Sequence, residues 1–128
     1  MGQLQKKLGK KGEDFVTQRL EKQGYVIVER NFHCRYGEVD IIAKDGDEYV
    51  FVEVKTRRHM YYDEPMDTVD HRKQKKLQRT IHYYLHQNKL DDALHRVDIA
   101  ILEIDSKGRF SLDYLKNPLE EIEEDDES

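Results

Sequence analysis

The sequence predicts an α/β domain: a mixed sheet flanked by helices, with elements in the order α-β-β-β-α-β-β. Three observations predict this. Apolar residues recur at helical spacing in two segments and in strand-like runs in five others. The stretch "DGD" at 45–47 separates two of the Val- and Ile-rich runs and marks a hairpin. A long helical segment lies between the third and fourth strands, and a crossover of that length joins strands that run parallel.

The elements follow in order. Residues from about 5 to 23 predict a helix, with Leu8, Phe15, Val16 and Leu20 on one side. Gly24 stops it, at the position where helices favour glycine. "YVIVERNF" from Tyr25 predicts a strand, and "GEVDIIAK" and "EYVFVEVKT" predict the hairpin pair. The polar and aromatic stretch from Arg58 to Pro65 predicts a mobile loop. A second helix is expected from about Val69 to Gln87. "RVDIAILEI" from Arg96 is apolar on both faces, as a central buried strand is, and "RFSLDYL" from Arg109 suits an edge.

A chain of 128 residues suits one domain with one modest core. Its net charge of -5 hides an uneven distribution. The last nine residues, "EEIEEDDES", carry seven acids, and without them the body holds 22 basic against 20 acidic residues. Residues 1–119 therefore read as the domain and 120–128 as an acidic, disordered tail. The single cysteine, Cys34, excludes an internal disulfide and a Cys-rich zinc site. No apolar run has signal-peptide character or membrane-span length, so a cytoplasmic protein with no membrane partner is expected. His82 and His86 are four apart on the second helix, but on its exposed side, and no histidine spacing points to a metal.

Chemistry concentrates in the hairpin. Strand side chains alternate, so Glu38 and Asp40 share a face on one strand, and Phe51, Glu53 and Lys55 share one on the next. An even-numbered loop brings the polar sets together. A two-residue loop at Asp45-Gly46 sets Asp40 against Phe51; a four-residue loop sets it against Glu53. Either way Asp40 and Glu53 are opposite or diagonal neighbours, about 5–8 Å apart at Cβ. Two carboxylates this close repel unless something positive lies between them. Mg²⁺ or Mn²⁺ fits, being hard ions that take carboxylate oxygen and keep several waters. Lys55 points into the same site and could orient water or stabilise charge on a phosphoryl oxygen. That constellation suits metal-assisted phosphodiester hydrolysis. The plain alternative is a solvated strand face, with Asp40 the salt-bridge neighbour of Lys55. It is weakened by the apolar character of both strands, since buried charge is costly unless paired or metal-bound.

The helices add candidates. Glu13 lies at the border of the first helix's apolar face, beside Val16 and Leu20, whereas Asp14 points outward. Gly9 and Gly12 suggest close backbone approach. On the second helix Val69, Leu77, Ile81, Tyr84 and Leu85 mark the buried side, and Lys73 and Gln74 fall within that arc. Arg72, Lys75, Lys76 and Arg79 fall outside it and, with Arg57 and Arg58, form a basic surface for phosphates. An ordinary solvated helix face explains these basic residues about as well, and Lys73 could simply snorkel along the apolar side.

The pattern Asp40-x12-Glu53-x-Lys55 resembles the signature of the PD-(D/E)XK nuclease superfamily. More narrowly, the chain resembles the YraN-like family of predicted bacterial endonucleases. The segments that carry the resemblance are "GKKGEDFV", "GYVIVERNF", "GEVDIIA", "VFVEVKTR", "KQKKL" and "RVDIAIL". Val39 stands where the superfamily name has proline. The resemblance implies a restriction-endonuclease-like fold, similar to Holliday-junction resolvases. It implies Asp40 and Glu53 as metal ligands, Lys55 as the catalytic lysine and Glu13 as a helix-borne acid of the site. Glu38 occupies the family's G-E-(I/V)-D position; Lys73 and Gln74 are auxiliary positions.

The expectation is a Mg²⁺- or Mn²⁺-dependent endonuclease acting on DNA, on branched or repair intermediates among others. A homodimer stays open. The rival readings are a non-catalytic nucleic-acid-binding module that keeps the fold, and a protein–protein adaptor.

Overall fold

Helix α1 (Gly2–Lys22) is amphipathic, and its apolar stripe of Val16 and Leu20 is fully buried. It ends where the sequence places the stop. The Tyr25 N–H donates to the Leu20 carbonyl (3.0 Å) and the Gly24 N–H to that of Glu21 (3.0 Å), while Gly24 takes the left-handed conformation at φ 95°. This paired closure satisfies carbonyls that the helix leaves open, and it turns the chain into the sheet. The structure, a computed structural model, describes residues 2–58 and 71–118, with side chains over 9–57 and 72–118. The expected loop beyond Arg58, the Val69 helix start and the acidic tail lie outside the described residues.

Five strands follow: β1 (Val26–Cys34), β2 (Gly37–Asp45), β3 (Glu48–Arg58), β4 (His95–Ile104) and β5 (Phe110–Lys116), with α2 (His71–Gln87) between β3 and β4. They form one sheet in the order β1-β2-β3-β4-β5. Neighbours are antiparallel except β3 and β4, which the α2 crossover makes parallel. β4 is central and β5 lies at an edge, as expected from their patterns. This is the restriction-endonuclease-like mixed sheet flanked by helices.

The helices cover opposite faces. Under α1 lie Ile41, Ala43, Val50, Val52, Ala100 and Leu102. Under α2 lie Val39, Ile42, Phe51 and Val97, packed on Leu77, Ile81, Tyr84 and Leu85. Two glycines permit close docking. A Cβ on Gly12 would lie 2.5 Å from Thr56 Oγ1, so α1 rests directly on β3. A Cβ on Gly37 would lie 2.9 Å from Thr80 Oγ1, so the start of β2 rests on α2. Gly9, in contrast, has nothing within 4 Å, so close approach holds for Gly12 alone of the pair in α1.

One strand differs from its reading. β4 is not apolar on both faces: Asp98, in the row with Ala100 and Leu102, is completely buried. It accepts from Arg96 Nε (3.1 and 3.2 Å), the Tyr114 hydroxyl (2.6 Å) and the Asn117 N–H (3.0 Å). The Arg96 guanidinium also reaches Glu48 (2.7 Å), Asp45 (3.3 Å) and the Tyr25 hydroxyl (2.8 Å). A buried carboxylate is tolerated because every side of it meets a donor.

Candidate active site

The hairpin register decides whether the acids meet. Asp45 pairs with Glu48, leaving Gly46 and Asp47 as the loop, with Gly46 left-handed at φ 63°. The loop therefore has two residues, one position later than expected, and this shift gives the register that a four-residue loop would have given. The last ladder pair is Ile41 with Val52. One step further Asp40 comes opposite Glu53. There the ladder stops, and the Asp40 carboxylate accepts the Val54 N–H at 2.7 Å. Asp40 and Glu53 also share a hydrogen bond between their carboxyls.

A second irregularity lets α1 contribute. Strict alternation would place Val39 and Ile41 on one face, yet Val39 packs under α2 and Ile41 under α1. The strand turns over at Asp40. On β1, the register aligns Asn31 with this point, and Asn31 is left-handed at φ 55°. Asparagine is among the few residues that adopt this conformation readily. The Asn31 side chain hydrogen-bonds Glu13, and Arg30 reaches Glu13 at 3.5 Å and Asp14 at 2.8 Å. Glu13, half-buried, thus approaches Asp40 from the α1 side. Asp14 is more exposed and pairs outward, with Lys10 at 3.9 Å as well.

The electrostatics follow from this crowding. Burial, then the Asp40 charge, then the shared hydrogen bond push the Glu53 carboxyl up to about 8, although Lys55 pulls it down. Burial also raises Asp40; Glu38 adds to that, while the Val54 N–H, Glu53 and Lys55 oppose it. Glu13 is raised by burial and by Asp40, against the pull of Arg30. All three acids thus hold a proton more tightly than a free carboxyl, first because they are buried and then because other acids lie near.

A cavity of about 330 Å³ opens on the α2 side, lined by Gly37, Glu38, Glu53, Lys55, Lys73 and Lys76 among others. Lys73 and Lys76 line this cavity from α2, and Gln74 is buried. Lys76 was expected only on the outer basic face; it serves both, because it lies at the rim. Arg72, Lys75, Lys76 and Arg79 are all exposed. Arg57 stands apart from them: its side chain is 14 % exposed and lies 3.7 Å from Glu103. The side chain of Arg58 is outside the described residues. His82 and His86 are exposed, with His86 3.2 Å from Asp91.

Sequence reasoning missed Arg30 and Asn31, which hold Glu13, and the Arg96–Asp98 network. The available signal for Asn31 was an asparagine inside a strand, a residue that strands disfavour. For Asp98 it was an acid flanked by Val97 and Ile99 in a central strand. Among the described residues, no group of three or more His, Cys, Asp or Glu side chains is gathered closely enough to hold a metal alone. No helix among them is long and apolar enough to cross a membrane.

The chain is similar to known proteins over most of its length. The chain is 38% identical over 113 residues to a UPF0102 protein of Caldicellulosiruptor saccharolyticus, covering 88% of this chain and 96% of that one. It is 37% identical to one from Dictyoglomus turgidum, with the same coverage. A UPF0102 protein of Syntrophus aciditrophicus is 42% identical over 100 residues, 78% of this chain and 79% of that one. Residues 12–102 match the sequence model of the family described as "Uncharacterised protein family UPF0102", a span that runs from Gly12 on α1 through Asp40, Glu53, Lys55 and Asp98. The chain belongs to the UPF0102, or YraN, family.

Proposed function

We propose that the chain is a divalent-metal-dependent endonuclease that hydrolyses phosphodiester bonds in DNA, with branched or repair intermediates among its substrates. The observation that carries this reading is the facing pair of half-buried carboxyls, Asp40 and Glu53, with Lys55 beside them. The donor set fits Mg²⁺ or Mn²⁺. It offers hard oxygen from two carboxyls that face each other, and it has fewer than three ligands, which suits ions that keep water and take substrate oxygen. Asp40 and Glu53 would hold the ion. When bound it supplies Lewis-acid polarisation of a phosphoryl oxygen and a lowered water pKa.

The chain's own residues supply the rest. Lys55 reaches the acids from β3 and is placed to stabilise charge developing on phosphoryl oxygen or to orient the attacking water. Glu13, steadied by Arg30 and Asn31, adds an acid behind Asp40. Lys73 and Lys76 line the same cavity and are placed to meet phosphates, and the exposed Arg72, Lys75 and Arg79 extend that surface. Cytoplasmic location is part of this reading.

A second reading is a nucleic-acid-binding module that keeps the fold without turnover. The lysines that line the cavity, Lys55, Lys73 and Lys76, favour it, since they can meet phosphate without a metal. A cleavage panel of duplex, single-stranded, flap and four-way-junction DNA with Mg²⁺ or Mn²⁺ separates the two. The endonuclease cuts at least one substrate, and Glu53→Gln cuts none. Binding by the wild type without cleavage of any substrate identifies the module.

A further inference from the structure

The turn between β1 and β2 carries a feature that phosphodiester chemistry does not require. Tyr36, just before Gly37, lies edge-on to Tyr83 of α2, with ring centroids 5.9 Å apart. The Arg35 guanidinium lies over the Tyr36 ring at 4.9 Å and donates to its hydroxyl at 2.7 Å. The Tyr83 hydroxyl in turn accepts from Gln87 Nε2 at 2.9 Å. Both tyrosines are only half-buried and Arg35 is exposed, so the group is open to solvent in part. Tyr83 also meets Phe32 at 6.5 Å, so it shares in packing, but the core beneath is carried by Tyr84, which is 4 % exposed and contacts Phe32 at 5.1 Å and Phe51 at 5.7 Å.

The position of this group matters more than its composition. Gly37 and Lys76 line the carboxylate cavity, and Gly37 is also the residue that docks the turn against α2. Along α2, Lys76, Arg79 and Tyr83 fall at helical spacing on one stripe, which spans about 10 Å. A basic track therefore leads from the acids to the tyrosines. It opens into a groove of about 450 Å³ lined by Phe32, Arg35, Tyr83 and Gln87, with Glu29 on the same wall. Cations followed by aromatic faces suit a phosphate backbone whose bases are free to stack, because a base pair inside a duplex has no exposed face to offer. The Glu29 carboxylate repels phosphate, so the track ends within the groove.

We propose that Arg35, Tyr36 and Tyr83 form a shelf for one or two unpaired bases of a nucleic-acid strand leaving the carboxylate site. This rests on the nucleic-acid reading above and narrows its substrate class: a duplex with a single-stranded segment next to the cut, such as a flap or overhang, is preferred to continuous duplex. Charge complementarity with Arg72, Lys76 and Arg79 directs the strand, and the rings supply the affinity for unpaired bases.

The test is fluorescence anisotropy in EDTA with a blunt duplex and the same duplex carrying a short single-stranded tail, made with DNA and with RNA tails of either polarity. The wild type binds at least one tailed form about tenfold more tightly than the blunt one, the size of one stacked base. Tyr83→Ala erases that preference and leaves blunt-duplex affinity unchanged, whereas Tyr83→Phe keeps it. Arg35→Ala, at an exposed position, reduces only the tailed affinity, and circular dichroism confirms that each variant is folded. Equal wild-type affinity for tailed and blunt duplexes overturns the shelf. So does an equal loss on both ligands in Tyr83→Ala. Because binding is read without metal, failure to cleave in the Mg²⁺ or Mn²⁺ panel overturns the endonuclease reading and leaves the preference measurable.

Discussion

The same sheet holds buried charge in two places, built on opposite terms. On β4, level with Val52, Asp98 is enclosed by Arg96, Tyr114 and the Asn117 N–H, and Arg96 is itself held by Asp45, Glu48 and Tyr25. Where β2 and β3 part, one register step beyond Val52 and two strands from Asp98, Asp40 meets another acid. Glu53 lies against it, Glu38 and Glu13 add to the crowding, and Lys55 offsets them only in part. In the first arrangement Arg96 stands between the acids. In the second an acid lies directly against an acid, and an incoming cation can stand between them. Burial alone therefore does not distinguish the two charges; the partners gathered around each one do.

The largest effect should come from the enclosed site. Asp98→Ala leaves Arg96 buried among groups arranged for a partner, and it is expected to lower the unfolding free energy by about 3–5 kcal/mol in urea denaturation. Asp40→Asn removes one member of a repelling pair. It should leave stability unchanged or raised while abolishing the Mn²⁺ binding heat in titration calorimetry. A loss for Asp40→Asn as large as for Asp98→Ala would break the comparison.

Lys55 tests whether the open site is catalytic. If it acts on charge that develops in the transition state, Lys55→Ala reduces single-turnover cleavage at saturating Mn²⁺ by about 10²-fold, with metal affinity nearly intact. Full recovery of rate at high Mn²⁺ would instead make Lys55 a pairing residue of Glu53 and Asp40.

The open site also imposes a pH dependence. Between its ordinary 4.5 and about 8, folded Glu53 keeps a proton that the unfolded chain releases. The metal-free protein therefore loses stability as pH rises through that window and levels off above it. Glu53→Gln should remove most of this slope in urea unfolding, in EDTA, from about pH 5 to about pH 8. Mn²⁺ affinity runs the other way and rises over the same interval, because binding must displace the proton. An unchanged stability slope in Glu53→Gln would assign the dependence to Asp40 and Glu13.

The smallest effect belongs to the exposed cations. Reversing charge at Lys76 and Arg79 should flatten the dependence of log affinity on log salt by about 0.9 for each B-DNA phosphate that the variant no longer neutralises. A slope that does not change would make them an ordinary solvated helix face.

Much of this was legible in the chain. Periodicity gave the order of elements, Gly24 the end of α1, and the crossover length the parallel β3–β4 pair, because each depends on short-range backbone preference. Alternation brought Asp40, Glu53 and Lys55 toward one place for any even loop. The loop's position was not legible, since Asp45-Gly46 and Gly46-Asp47 are both acceptable turn pairs and packing of both faces selects between them. Nor was the turnover of β2 at Asp40, which strict alternation forbids. It accompanies Asn31 on a different strand and makes room for Glu13 from a helix.

Local sequence alone determined which segments became strands and helices, and which acids could come near each other, because those properties repeat over a few residues. Only the tertiary structure decided which charges were neutralised. Arg96 finds Glu48 and Tyr25 across 48 and 71 residues of chain, and Glu13 finds Arg30 and Asp40 across two further elements. Countercharge is a property of the folded neighbourhood, set by register and helix docking. The same residue type, aspartate in a Val- and Ile-rich strand, is therefore enclosed by donors at 98 and set against another acid at 40.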